Sequence, residues 1–132
     1  MPILIIQLGS HRNPDEGLRI GTVRRPPRGV RKERIAPENW YDVWLPQLAP
    51  SAALLQEAKA ATTVAEWQRF VRKYRAEMGT PDNAHLIDLL ASLSHSTAFS
   101  VGCYCENEER CHRSLLRELL TAAGASVVRP SG

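Results

Sequence analysis

All three cysteines of the chain lie within nine residues, at Cys103, Cys105 and Cys111, and His112 and Arg113 follow the last of them directly. Thiol, imidazole and guanidinium groups at this spacing admit three readings. As a nucleophile, Cys105 has a histidine and a cation nearby, and a thiol becomes reactive where positive charge favours the thiolate. As a metal site, Cys103, Cys105, Cys111 and His112 offer four ligands, and period-2 spacing puts Cys103 and Cys105 on one face of a strand. The pattern lacks the two separated Cys or His pairs of common structural zinc sites, so no metal ligand is assigned. As plain structure, Cys103 is a small buried hydrophobe and Cys111 a helix-start residue. Phosphatase chemistry is disfavoured: Glu106, Glu108 and Glu109 put negative charge in the intervening loop, and Cys111 stands where a Cys-x5-Arg pattern needs arginine.

These residues need a strand and a helix to hold them. Phe99, Val101 and Cys103 alternate with small residues as strand residues do, and Leu115, Leu116, Leu119 and Leu120 repeat at helical spacing. Cys111, His112 and Arg113 therefore fall at a helix start, where unpaired N–H groups and the positive end of the dipole attract anions and favour thiolates. A second source of positive charge is the stretch from Arg19 to Arg34. It holds seven basic residues and one acid, a local net charge of +6 against +3 for the whole chain. Within it, Arg24-Arg25-Pro26-Pro27-Arg28-Gly29 reads as a stiff loop, because two prolines fix φ and remove two donors while Gly29 permits positive φ. Such a loop presents Arg24, Arg25 and Arg28 to phosphate or carboxylate with little ordering cost. If it folds over the strand ends, Arg24 or Arg28 converges with Arg113 on one anion.

A chain of 132 residues, 43% apolar and 23% charged, fits one ordinary globular domain with a core of its own. No apolar run approaches the roughly 20 residues of a membrane span. The opening run Ile3 to Leu8 lacks the basic flank and cleavage site of a secretory signal, so no membrane partner and a cytoplasmic location are expected. An odd number of cysteines in one cluster points to reduced thiols and away from a disulfide framework.

Residues 3–8 predict a buried strand, Gly9 to Gly17 a turn, and Leu18, Ile20 and Thr22 a second strand. A short helix is predicted near Pro37-Glu38, with Trp40 and Trp44, four apart, packing together. Ser51 reads as the N-cap of a helix through about Ala61, and Thr62 or Thr63 as that of the helix VAEWQRFVRKYRAEM, which Gly79 ends. A further helix follows Pro81. Single helical faces place Trp67, Phe70, Tyr74, Leu86, Leu89, Leu90, Leu115 and Leu119 in the core. Ser126-Val127-Val128 predicts a last strand, and residues 129–132 a loose tail. Strands alternating with helices predict a single small α/β domain over residues 1–128, with a mainly parallel sheet of about four strands covered by helices. Ligands of such sheets sit beyond the carboxyl ends of the strands, which is where Cys105 to Arg113 falls.

The segments RRPPRGVRKER, WYDVWLPQLAPS, WQRFVRKYRAEM and VGCYCENEERCHRSLLRELLTAAGA, in this order, resemble the bacterial and archaeal family called domain of unknown function 488. They look most like its branch with Pro-Arg-Gly, Leu-Ala-Pro-Ser and Cys-His-Arg motifs, and the resemblance covers roughly residues 18–125. Val23 and Pro26 stand where many relatives have Asp and Trp, so no catalytic carboxylate is carried over from that strand. The resemblance implies a small α/β domain and supplies no reaction.

The candidate catalytic residues are thus Cys105 and His112, and the candidate ligand-binding residues Arg24, Arg28 and Arg113. The partner they suit is a phosphorylated or nucleotide-like small molecule, and no cofactor is assigned. One alternative is a nucleic-acid-binding module that uses residues 19–34 with Trp40 and Trp44. Another is a redox or metal protein centred on the cysteines. These residues alone do not choose between an enzyme and a binding module.

Overall fold

The computed structural model describes residues 2–128. One sheet of four parallel strands has the order β1-β4-β2-β3, where β1 is Leu4–Gln7, β2 Leu18–Gly21, β3 Val43–Trp44 and β4 Phe99–Cys103. The helices are α1 Ala52–Ala60, α2 Val64–Met78, α3 Pro81–Leu93 and α4 His112–Ala122. This is the α/β parallel sheet that the alternation of patterns predicts, with one exchange of strands. Val127 makes only an isolated bridge to Ile3, and the fourth strand is instead Val43–Trp44 beside Ile20–Gly21. The amides of Asp42 and Leu45 extend that short pairing onto the carbonyls of Arg19 and Gly21. The tail, 129–132, lies outside the described residues.

Local chemistry starts the helices where it should. The Ser51 hydroxyl accepts from the Leu54 amide, and Thr63 accepts from the Glu66 amide while the Glu66 carboxylate returns to the Thr63 hydroxyl. Pro81 occupies the first turn of α3, where its missing N–H costs nothing. The helix predicted near Pro37 does not form: residues 35–39 are turns after a single 3₁₀ turn at Lys32–Arg34. Trp40 and Trp44 therefore do not share a helical face. Trp40 meets Tyr104 edge to face at 5.9 Å, while Trp44 sits on β3 and donates its indole N–H to the Val23 carbonyl.

Alternate sheet residues Ile3, Ile20, Phe99 and Val101 pack with Phe70 and Tyr74 of α2, Ile87 and Leu90 of α3, and Leu115, Leu116 and Leu120 of α4. Of the predicted core, Trp67, Leu86 and Leu119 lie at its margin, and Leu89 is 54% exposed. Apolar residues in α3 occur at 86, 87, 89, 90 and 93, enough for two overlapping stripes, and the packing selects Ile87, Leu90 and Ala91. Between the apolar residues of β2 stands Arg19, fully buried, paired with buried Glu16 at 2.7 Å and bonded to the carbonyls of Ser10 and Asn39. Arg19 thus belongs to the fold and not to the basic surface that charge counting suggests. A buried ion pair broken on one side leaves an uncompensated charge.

Two outcomes test this packing by chemical denaturation. Leu116→Ala should cost about 2–5 kcal/mol, whereas Leu89→Ala should cost less than about 1 kcal/mol. Glu16→Ala, which strands the Arg19 guanidinium, should cost about 3–5 kcal/mol; a near-neutral result would show that Arg19 is not held by that pair.

Candidate functional site

β4 is the inner strand between β1 and β2, and Cys103 ends it. Past the adjoining end of β2, both the amide and the hydroxyl of Thr22 donate to the Gly102 carbonyl, at 2.9 and 3.0 Å. That fixes the Thr22 carbonyl, which is bonded by His112 Nε2 at 2.7 Å. A carbonyl can only accept, so Nε2 carries the proton and Nδ1 has a free lone pair. Nδ1 faces Cys111 Sγ at 3.7 Å. Burial drives the His112 pKa down to about 4, so the ring is neutral near pH 7.

Cys111 caps α4 with extended backbone angles, which turns its side chain and that of His112 back toward the end of β4. Cys103 Sγ, Cys111 Sγ and a His112 ring nitrogen lie within 4.8 Å of one another, all buried. Cys105, two residues beyond the strand, is the exposed thiol of the three. Its pKa is lowered, by the neighbouring thiols of Cys103 first and Cys111 second and further by the Arg113 cation. Cys103 moves the other way, raised by its hydrogen bonds to Cys105 and Cys111 and by burial.

A cavity of about 280 Å³ opens over these groups, lined by Arg24, Lys59, Cys103, Tyr104, Cys105 and His112 among others. Arg24 is locked in place, since its Nε and Nη2 donate to the carbonyls of Pro50 and Ala49 at 2.9 and 3.0 Å. The Leu-Ala-Pro-Ser stretch thereby acts as an anchor for the arginine as well as the N-cap of α1. Lys59, in the last turn of α1, is not among the residues that sequence reasoning singles out; a lysine on an amphipathic helix carries no signal of its own. None of Glu106, Glu108 and Glu109 lines the cavity, and Glu108 is paired with Arg117 at 2.8 Å.

The other two candidate arginines stand apart. Arg28 lines a separate cleft of about 630 Å³ with Gln7, Arg25, Trp40 and Tyr104. Tyr104 is common to both walls, and its hydroxyl donates to the Arg25 carbonyl at 2.8 Å. Arg113 is 3% exposed and donates to the Cys105 carbonyl at 2.5 Å, bracing the turn between β4 and α4 from within. Its Nε has no hydrogen-bond partner among the described residues. Among the described residues, of Arg24, Arg28 and Arg113 it is Arg24 that lines the cavity with Cys105 and His112, Arg28 the neighbouring cleft, and Arg113 the buried turn.

Residues 3–124 match the family model described as the active DUF488-N3 subclade, and the chain belongs to that family. No curated protein and no solved structure matches it. Among the described residues, no helix is long and apolar enough to cross a membrane.

Exposure separates the three thiols sharply, since Cys103 and Cys111 are each 2% exposed. In reduced, metal-free protein near neutral pH, a neutral alkylating agent should label Cys105 at least about tenfold faster than Cys103 or Cys111. Peptide mapping by mass spectrometry reads this directly, and equal labelling of all three in the folded protein would show that the inner thiols are not enclosed.

Proposed function

We propose that this family member binds a small anionic ligand, phosphate-bearing or nucleotide-like, in the cavity at the carboxyl ends of β2 and β4, with the Cys105 thiol as the group that meets it. The observation that carries this reading is that two cationic side chains, Arg24 and Lys59, line the same small cavity as Cys105. Arg24 is held by two backbone carbonyls, so little side-chain freedom is lost on binding, and a guanidinium suits oxyanions. A volume of about 280 Å³ suits one small group. A larger ligand extends past Tyr104 into the neighbouring cleft, where Trp40 and Tyr104 offer aromatic edges and faces and Arg25 and Arg28 further charge. That division favours a nucleotide-like molecule, with its acidic group at Arg24 and its ring beside Trp40.

His112 serves Cys105 by position. Its free Nδ1 is directed at Cys111 and not at Cys105, so it orders the inner thiols and is not itself the base for Cys105. Reduced cysteines suit the cytoplasm. The exposed Arg25, Arg28, Arg31 and Lys32 favour a second reading, a nucleic-acid surface, whose mark is affinity that falls steeply with salt.

Calorimetric titration with inorganic phosphate, nucleoside monophosphates and a short oligonucleotide separates the two. Binding of a small anion that Arg24→Ala weakens by about tenfold or more, with Cys105→Ser retaining it, is the expected result. Oligonucleotide binding alone, steeply salt-dependent and indifferent to Arg24→Ala, would replace the small-ligand reading with the nucleic-acid one.

A further inference from the structure

Behind the exposed thiol lies a group of side chains that supplies no charge to a bound anion. We propose that Cys103, Cys111 and His112 bind one soft divalent cation, zinc in the first instance, with the fourth coordination position directed toward Cys105 and the cavity. The inference is independent of the anion reading, because none of these three residues supplies charge to an anion.

The donor atoms carry the argument. Two thiol sulfurs and a ring nitrogen lie within 4.8 Å of one another in a buried pocket. A tetrahedral zinc with Zn–S near 2.3 Å and Zn–N near 2.0–2.1 Å separates its sulfur and nitrogen ligands by about 3.6 Å. Cys111 Sγ and His112 Nδ1 are 3.7 Å apart, so that edge of the tetrahedron is already formed. The ligating nitrogen is also the correct one. Nε2 is committed to the Thr22 carbonyl at 2.7 Å, the kind of outer hydrogen bond that fixes the tautomer and orientation of a metal-bound histidine and leaves Nδ1 as the donor. Thr22 is in turn bonded to Gly102, one residue before the first cysteine, so the outer support and the ligands share one strand pair.

Charge and ligand type narrow the ion. Two thiolates and a neutral imidazole around a divalent cation sum to zero, which lowers the cost of burying the ion. No carboxylate belongs to the cluster, and sulfur with nitrogen selects zinc-like ions over magnesium or calcium. The spacing C-x-C-x5-C-H conceals the site because the pairs that mark common zinc motifs are absent. Here the end of β4 and the start of α4, joined by one turn, bring the ligands together instead. The cavity that reaches Cys103 and His112 provides the path of entry.

The test uses the whole chain, reduced and stripped with a chelator, titrated with cobalt(II) and, in competition with a chromophoric chelator, with zinc. One equivalent of cobalt should produce the visible bands of tetrahedral coordination together with thiolate-to-cobalt charge transfer of an intensity that counts two or three thiolates. Cys111→Ser and His112→Gln should each weaken zinc binding by roughly 100-fold or more, while Cys105→Ser should retain the stoichiometry and the tetrahedral bands. Octahedral cobalt spectra, one thiolate or none, or loss of binding in Cys105→Ser alone would overturn the proposal. The wild-type spectrum decides even if a ligand variant fails to fold. Because the readout is metal coordination and not phosphate binding, either proposal can fail while the other stands.

Discussion

The hydrogen bond from His112 Nε2 to the Thr22 carbonyl organises this end of the molecule. It joins the first turn of α4 to the residue just past β2, and Thr22 is itself tied twice to β4 through the Gly102 carbonyl. Three elements distant in sequence are thereby locked at one point. Because a carbonyl only accepts, the bond also decides the histidine tautomer, and with it which ring nitrogen faces the cysteines. A glutamine could imitate the donor but would present no second nitrogen to the thiols. Structure and chemistry therefore impose the same residue here.

Around that point the side chains sort by depth. Cys103, Cys111 and His112 lie inside, in an environment that keeps the ring neutral and pushes the Cys103 thiol pKa up. Cys105 lies outside, on the lip of a cavity that also carries Arg24 and Lys59. One short turn between β4 and α4 thus separates an inner, enclosed set of donors from an outer, accessible thiol. Arg113, which the sequence offers as a ligand, is spent on the Cys105 carbonyl and serves as the brace of that turn.

A second structural use of arginine appears on β2. Arg19 is wholly buried, and its guanidinium gathers Glu16 and the carbonyls of Ser10 and Asn39, so the 10–16 loop and the segment before β3 close over the sheet. Arg12 extends this by bonding Asp42, whose other partner is the Arg19 amide. Burial raises the cost of the Asp42 charge, yet these donors hold its carboxyl below the ordinary carboxylate range. The basic stretch is consequently not one surface: Arg19 builds the fold, Arg24 faces a cavity, and Arg25 and Arg28 face solvent and the second cleft.

Periodicity and capping are local properties, and for that reason the residue pattern alone specifies the parallel α/β class, the start of α1 at Ser51 and that of α2 to within Thr62 or Thr63, the β4-turn-α4 unit, and the placing of Cys105 and His112 beyond the strand ends. Whatever depends on distant partners is settled by the packed fold. β3 has two residues and no pattern of its own, so it becomes a strand only because Ile20 and Gly21 stand beside it, while Val127, with a better strand composition, finds room for a single bridge. Ile87 and Leu89 lie on nearly opposite sides of a helical wheel, each in an apolar stripe of its own, and the neighbouring helices choose between the stripes. In the same way Arg24, Arg28 and Arg113 are equal as charges in a sequence. Carbonyls from other segments, at Pro50 and Ala49 for Arg24 and at Cys105 for Arg113, send them to different tasks, because an arginine's five donors follow whatever acceptors the fold brings within reach.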